Sequence, residues 1–312
     1  MSATRRARVH ALAKINLDLR VLARRPDGFH ELRTIFQTIS LADTIDIAYT
    51  PARSTAIQLE DVLDIPDNLV VRAARMAMEA MRSTGRVEMR LVKRIPMGAG
   101  LGGGSSDAAA VLLALPVLAG RPLDLAKLQE AAGRLGSDVP FFLLGGTAAG
   151  IGRGTELFPL PDRPAQPGLV VAPGVHVSTA DAYRRLSASL TTESQQNKMF
   201  SFQSQMWEPG GSEPAANDFE AVAFEQYRHL AALKKRLVRA GASMAMMTGS
   251  GSALFGLFRT REEVSRAVGQ LGKEKVFRIL LVSRPRYRWM WWRALEEHVT
   301  ERIWPPQSRY AR

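Results

Sequence analysis

The chain of 312 residues contains no cysteine. That absence excludes disulfides, thiolate metal sites and cysteine nucleophiles, and it is compatible with a reducing compartment. No apolar run approaches the roughly 18 residues that a membrane-spanning helix needs. The opening stretch MSATRRARVHALAKINLDL is basic but has neither a continuous apolar core nor a small-residue cleavage site, so no signal peptide is expected and a cytoplasmic protein is. There is no compact acidic cluster of the kind that cages a metal ion, so no protein metal site is expected. Aromatic residues are few, at 7%, and their placement therefore carries information.

What is present is the mix of a globular protein, with 46% hydrophobic and 23% charged residues. The length allows a sizeable core and two lobes. The formal net charge of +12 favours anionic partners such as nucleotides, nucleic acid or acidic membranes. The excess is mostly arginine beside heavy alanine use, a bias that a GC-rich genome produces equally well.

Leu12 to Val21 alternates: Ala13, Ile15, Leu17, Leu19 and Val21 face one way, and Lys14, Asn16, Asp18 and Arg20 the other, which predicts a half-buried strand. RPDGFHE is a turn, and two strands are expected at Thr34–Ser40 and Asp43–Tyr49. Asn68 predicts a helix start running to about Arg82. Arg86–Ile95 reads as a strand, and helices are expected to about Leu118 and over Leu123–Leu135. The Gly-rich run Gly145–Gly154 fits a tight strand pair. The Pro-rich stretch PLPDRPAQPG marks a lobe boundary, which divides the chain into 1–162, 163–285 and a basic extension 286–312 that begins within RPRYRWMWWRALEEHVTERIWPPQSRYAR. Leu169–Ala172 is a strand, Ser187–Ala216 a flexible insert, Asn217 a helix cap, and Phe224–Ala240 a continuous helix. Strands follow at Ala245–Met247, Ala253–Phe258 and Phe277–Ser283. The extension holds four of the five tryptophans. It reads as a terminal helix docked on the second lobe, or as a surface for a membrane or partner.

The chemistry gathers at PMGAGLGGGSSDAA, the loop Pro96, Met97, Gly98, Ala99, Gly100, Leu101, Gly102, Gly103, Gly104, Ser105 and Ser106. Glycine permits positive φ and close approach of backbone to a ligand. A strand before the loop and a helix after it bring amide N–H groups and a helix N-terminus to one point, which suits phosphate. Two familiar loops fail here. Gly98 to Gly103 satisfies G-x-G-x-x-G, but Asp124, at the right distance for the ribose acid, opens a helix-like stretch instead of ending a second strand. G-x-x-x-x-G-K-[ST] fails because Gly104, ahead of Ser105, stands where lysine should.

The loop resembles the second motif of the GHMP kinases. The resemblance extends to AKINLDLRVLARRPDGFHELRTIFQTISLADTIDI, PDNLVVRAA, LGSDVPFFLLGGTAAGIGRGTEL, NDFE and TGSGSALFGLF, which cover most of residues 10–260. The run PDGFHEL narrows it to the branch whose substrate is a cytidyl-diphosphate alcohol, 4-diphosphocytidyl-2-C-methyl-D-erythritol. This resemblance implies an α+β, two-lobed fold with a ribosomal-protein-S5-like first lobe. It implies transfer of the ATP γ-phosphate to the 2-hydroxyl of that alcohol, a step of the non-mevalonate route to isoprenoid precursors, with Mg²⁺ arriving on the nucleotide.

Phosphoryl transfer asks mainly for positioning and charge stabilisation, and the attacking alcohol must lose a proton. By the resemblance, Asp138 is the general base and Lys14 its partner. Phe29 and His30 in the turn, with Tyr183 from the second lobe, would read the cytosine by stacking and hydrogen bonding, with Thr179 and Asn16 nearby. The branch often carries Tyr where this chain has Phe29, which drops a hydroxyl but keeps the stacking face. Ser105 and Ser106 could donate to phosphate or help hold Mg²⁺, and Thr248–Ser252 is either a second phosphate contact or a plain turn. A homoserine or mevalonate type of kinase, and an RNA-binding S5-like protein, are the alternatives. The first lacks PDGFHEL, and the second leaves the glycine loop idle, so no nucleic-acid partner is expected.

Overall fold

The computed structural model describes residues 3–61, 65–187 and 215–311. Two long strands, β1 (Arg5–Arg24) and β2 (His30–Pro51), form an antiparallel hairpin that reaches across the molecule. The turn between them is closed by Arg25 N donating to the Phe29 carbonyl and Phe29 N to Asp27 Oδ1. β3 (Ala56–Asp61), β4 (Gly85–Val92), β5 (Thr147–Gly152) and β6 (Glu156–Pro159) extend this sheet in the order β3-β4-β2-β5-β6, with β1 on the other side of β2. A second, antiparallel sheet has the order β10-β7-β9-β8, from β7 (Pro167–Ala172), β8 (Met244–Met247), β9 (Leu254–Leu257) and β10 (Lys275–Leu280).

Helices α1 (Leu69–Ala80), α2 (Gly103–Ala119), α3 (Leu125–Leu135) and α4 (Val139–Leu144) share one core with the first sheet. Asn68 caps α1 through its side-chain oxygen, and Asp124 caps α3. α2 is rich in Ala and Leu and is buried from Ser106 to Leu118; Gly120, in the left-handed region, ends it. The second sheet is covered by α5 (Thr179–Ser187), α6 (Phe219–Gln226), α7 (Arg228–Arg239) and α8 (Arg261–Gln270). A third cluster joins the sheets: Ala13, Ile15 and Leu17 of β1 pack against Val170, Phe255 and Ile279.

Several expectations change. β1 is longer than Leu12–Val21 and is not half-buried: Lys14, Asn16 and Asp18 are 3%, 2% and 1% exposed. Its polar face is covered because it lies between the lobes. The two strands expected at Thr34–Ser40 and Asp43–Tyr49 are one strand. The apparent break is a register irregularity beside Lys14, where Ile39 forms a bridge to Leu281 of the second lobe. The continuous helix over Phe224–Ala240 is split at Tyr227, which leaves helical geometry. Most of the expected insert at 187–216 lies outside the described residues. The final helix, α9 (Arg284–Ala294), docks on the first lobe, not the second. Tyr287 enters that core where Gly145 has no side chain, and Trp291 and Leu295 follow it.

Candidate active site

A cleft of about 1070 Å³ opens between the two lobes. Its floor is the polar face of β1. Lys14 Nζ donates to Asn16 Oδ1 at 2.8 Å and lies 3.4 Å from Asp138 Oδ2. Lys14 is almost fully buried, whereas the Asp138 side chain is 34% exposed and reachable from the cleft. Asp138 occupies the N-cap position of α4, yet its side chain makes no capping bond, so its oxygens remain available to a ligand. A short apolar run, VPFFLL, drives α4 into the core and leaves Asp138 at its wet end.

The glycine loop forms the adjoining wall. Gly98, Gly100 and Gly102 all have positive φ, and Lys14 N donates to the Leu101 carbonyl at 3.0 Å. A side chain at Gly100 would strike the Thr248 carbonyl, and one at Gly102 would meet Phe142. Glycine is required at both by space as well as by φ. α2 starts without a side-chain cap, and Gly102 and Ser105 at its start line the cleft, an arrangement suited to phosphate.

The opposite wall is aromatic. The His30 ring stacks on Tyr183 with centroids 4.7 Å apart, and Tyr183 meets Phe219 edge-on. Phe29 is half exposed and carries the Arg153 guanidinium 3.5 Å above its ring. Burial pushes the Tyr183 phenol upward, and the charge of Asp138 adds to the shift, which places the two groups in one electrostatic field. Burial, with Arg24 nearby, lowers His30 and keeps its imidazole neutral at pH 7.

Of the expected site residues, Lys14, Asn16, Phe29, His30, Gly98, Gly100, Gly102, Ser105, Asp138, Thr179 and Tyr183 line this one cleft. Pro96, Met97, Ala99, Leu101, Gly103, Gly104 and Ser106 do not. Ala99 and Leu101 are core residues of the junction between the sheets. Ser106 faces inward, and its hydroxyl donates to the Leu12 carbonyl at 2.7 Å instead of toward the cleft. Asn16 is a cleft residue whose polar atoms are already engaged: Oδ1 accepts from Lys14 and from Gly249 N, and Nδ2 donates to Thr34 Oγ1. Thr179 Oγ1 lies 2.8 Å from Ser250 Oγ. Each of the two rings expected to hold the cytosine has one protein neighbour, His30 stacked on Tyr183 and Arg153 over Phe29.

Three contributors were not singled out in the sequence. Arg153 sits in the turn after β5, and its only linear signal is a cation between two glycines. Arg24 ends β1 at the cleft edge. Lys93 is hidden behind the loop, held by Asp43 and, at 2.7 Å, by Asp107, just under Gly103.

A glycine loop at a helix start, facing a carboxylate paired with a buried ammonium across a two-lobed cleft, defines an enzyme of phosphoryl transfer to a small molecule. The comparisons agree. Residues 68–146 match the GHMP kinases N terminal domain and residues 199–276 the GHMP kinases C terminal domain. The chain is 71% identical over 314 residues to a 4-diphosphocytidyl-2-C-methyl-D-erythritol kinase of Solibacter usitatus, covering 99% of each. It is 40% identical over 263 residues to the enzyme of that name from Pelobacter propionicus, covering 84% of this chain and 92% of the relative. A crystal structure of a 4-(cytidine 5'-diphospho)-2C-methyl-D-erythritol kinase superposes with a TM-score of 0.74 at 37% identity, covering 88% of this chain and all of the other. A homoserine kinase from Cytophaga hutchinsonii, at 15% identity, covering 90% of this chain and 96% of that one, and TM-score 0.67, shares the fold. The chain belongs to the GHMP kinases and, within them, to the family of 4-diphosphocytidyl-2-C-methyl-D-erythritol kinases.

Proposed function

We propose that this kinase transfers the γ-phosphoryl group of ATP to the 2-hydroxyl of 4-diphosphocytidyl-2-C-methyl-D-erythritol. The observation that carries the reading is the Lys14–Asp138 pair at 3.4 Å, set between the glycine loop and the Phe29–His30–Tyr183 wall. The alcohol gives its proton to the Asp138 carboxylate as its oxygen bonds to the γ-phosphorus. The bond from that phosphorus to the β,γ-bridging oxygen breaks, and ADP leaves with the electron pair. Lys14 stands where it can steady both the attacking oxygen and the charge on the transferred group. The amides of the glycine loop and of the α2 start bind the phosphates that remain on ADP.

Mg²⁺ fits as an ion carried by the nucleotide. Among the described residues no group of three His, Asp or Glu side chains could hold it, while the Ser105 hydroxyl offers one oxygen at the cleft. When bound, it neutralises charge on the β- and γ-phosphates. On the other wall Phe29 offers an aromatic face, and the neutral His30 imidazole and Arg153 offer polar edges for a cytosine. A cytoplasmic location suits such an enzyme. Among the described residues no helix is long and apolar enough to cross a membrane.

The test is Asp138→Asn. It should lower kcat by about 100-fold or more while ATP still binds, since a positioned general base supplies about 10²–10⁴. Unchanged activity would refute the role of Asp138. Turnover of homoserine or mevalonate, with none of the cytidyl-alcohol, would refute the substrate.

A further inference from the structure

α4 is only six residues long, and it joins two parts of the proposed machinery. Its N-cap is Asp138. Its Phe142 ring fills the space beside Gly102, the last turn of the glycine loop. A helix this short has little stability of its own, and its final carbonyls have no partner within it. The Phe141 carbonyl is satisfied by Gly145 N. The next two are satisfied from the C-terminal extension: Tyr287 OH donates to the Phe142 carbonyl at 2.5 Å, and Trp304 Nε1 to the Leu143 carbonyl at 2.9 Å.

The extension is itself well anchored. Tyr287 lies in the space left open at Gly145, with its phenol fully buried and pushed upward by that burial. Tyr287 and Trp304 pack edge to face, with centroids 6.1 Å apart. Further along, the Ser308 hydroxyl donates to the Val117 carbonyl near the end of α2, and the His298 ring contacts the Arg6 carbonyl on β1 at 2.7 Å. These hydrogen bonds reach α4, α2 and β1, and of the three only α4 begins at Asp138.

We propose that the C-terminal extension is a positioning device for catalysis, in which Tyr287 and Trp304 clamp the far end of α4 and so fix Asp138 against Lys14 and Phe142 against the glycine loop. Tyr287 and Trp304 act through α4 and touch no substrate. The inference rests on the reading of Asp138 as the base. It also bears on the expectation for this segment, whose other reading was a membrane or partner surface: Trp291 and Trp304 make internal contacts, while Trp289 stays exposed.

The test uses the full-length enzyme with Tyr287→Phe and Trp304→Phe, which remove the donor and keep a ring, and with Ser308→Ala as a control that removes a bond from the same extension to α2. Assays run well below each variant's melting temperature. The Tyr287 and Trp304 variants should lose about five- to tenfold in kcat, with KM for ATP and for the alcohol within about twofold, since a factor of ten corresponds to about 1.4 kcal/mol in the barrier. Amide exchange at Gly145 should quicken in both. Ser308→Ala should melt earlier with kcat unchanged. In an Asp138→Asn background, Tyr287→Phe should lower the residual rate no further. Full kcat in both ring variants, or an equal loss in Ser308→Ala, would overturn the proposal. If Asp138→Asn alone retains full activity, the failure belongs to the reading of Asp138 and not to the clamp.

Discussion

Asn16→Ala tests whether the polar face of β1 is a structural joint as well as a cleft floor. Asn16 is 2% exposed. Its Oδ1 accepts from Lys14 Nζ at 2.8 Å, Gly249 N at 2.9 Å and Thr248 Oγ1 at 3.2 Å, and its Nδ2 donates to Thr34 Oγ1. Two of these losses are cushioned. Thr248 can donate to the Gly100 carbonyl instead, and Thr34 keeps its bond to the Asp18 carbonyl. Two are not: the Gly249 amide and the Lys14 ammonium both lose a buried acceptor. Each such orphan costs about 1–3 kcal/mol, so the variant should lose about 2–6 kcal/mol of stability. For a chain of this size that is a fall of roughly 3–9 °C in melting temperature. Lys14, left with Asp138 alone, should also shift toward it, and kcat should fall by about tenfold. Urea denaturation and steady-state kinetics read the two effects separately. Asn16→Asp keeps the acceptor and should recover most of the stability but little of the rate. An Asn16→Ala protein with an unmoved denaturation midpoint would refute the reasoning.

The glycine loop yields a matched pair. Gly100→Ala should cost well over the roughly 1–2 kcal/mol of a left-handed residue, because its side chain would also strike the Thr248 carbonyl. Gly104→Ala meets nothing closer than Leu69 Cδ1 at 3.6 Å, so it should fold normally, and a raised KM for ATP would then mark that open space as nucleotide space. Phe29→Ala and Arg153→Ala should each raise KM for the cytidyl-alcohol by about tenfold without moving that for ATP, in line with roughly 1 kcal/mol for stacking or cation–π contact. Asp107 predicts a pH effect on stability. Burial, reinforced by Asp43 and opposed by Lys93, pushes it up to about 7. With the folded value above the unfolded one, its contribution is complete below pH ~4 and lost as pH rises through ~7, by up to about 4 kcal/mol. Asp107→Asn should flatten the difference in urea midpoint between pH 5 and pH 8, and an unchanged pH dependence would count against this assignment.

Much of the cleft was legible because its chemistry is written locally. The glycines of 98–104 announce a phosphate loop, and the turn at Phe29 and His30 announces a second ligand. Periodicity placed β1, whose faces differ sharply in polarity, and the cap residue Asn68 placed α1. It misjudged what covers the polar face. Alternation says that Lys14, Asn16 and Asp18 lie opposite the apolar side, but not that a second lobe will close over them. Asp138 was marked by the resemblance, yet α4 itself, with no polar face to give a helical period, was not expected. Long-range pairings left no linear trace either: Ser106 turned toward Leu12, Lys93 held by Asp43, and Arg153 resting on Phe29 each join residues dozens of positions apart.

The covering of β1 decides a further question, whether the cleft is formed before substrate arrives. The lobes are joined by backbone bonds across the cleft's floor and back. Leu19 N donates to Ala216 and Asp218 N to Leu19, while Val282 N donates to Thr38. Asp18, almost wholly buried, accepts from Ala216 N, and Asp218 accepts from Val21 N. These bonds sit at Asp18 to Val21 of β1 and at Thr38 of β2, the register partner of Lys14, so they lie close beside Lys14 and Asn16. A hinge motion wide enough to separate Lys14 from the loop would have to break several at once, each with buried partners. The proposed catalytic pair and the proposed phosphate loop are therefore held in register by the same strand that joins the lobes. Such pre-positioning is what a reaction dependent on orientation and charge, with little covalent work for the protein, requires.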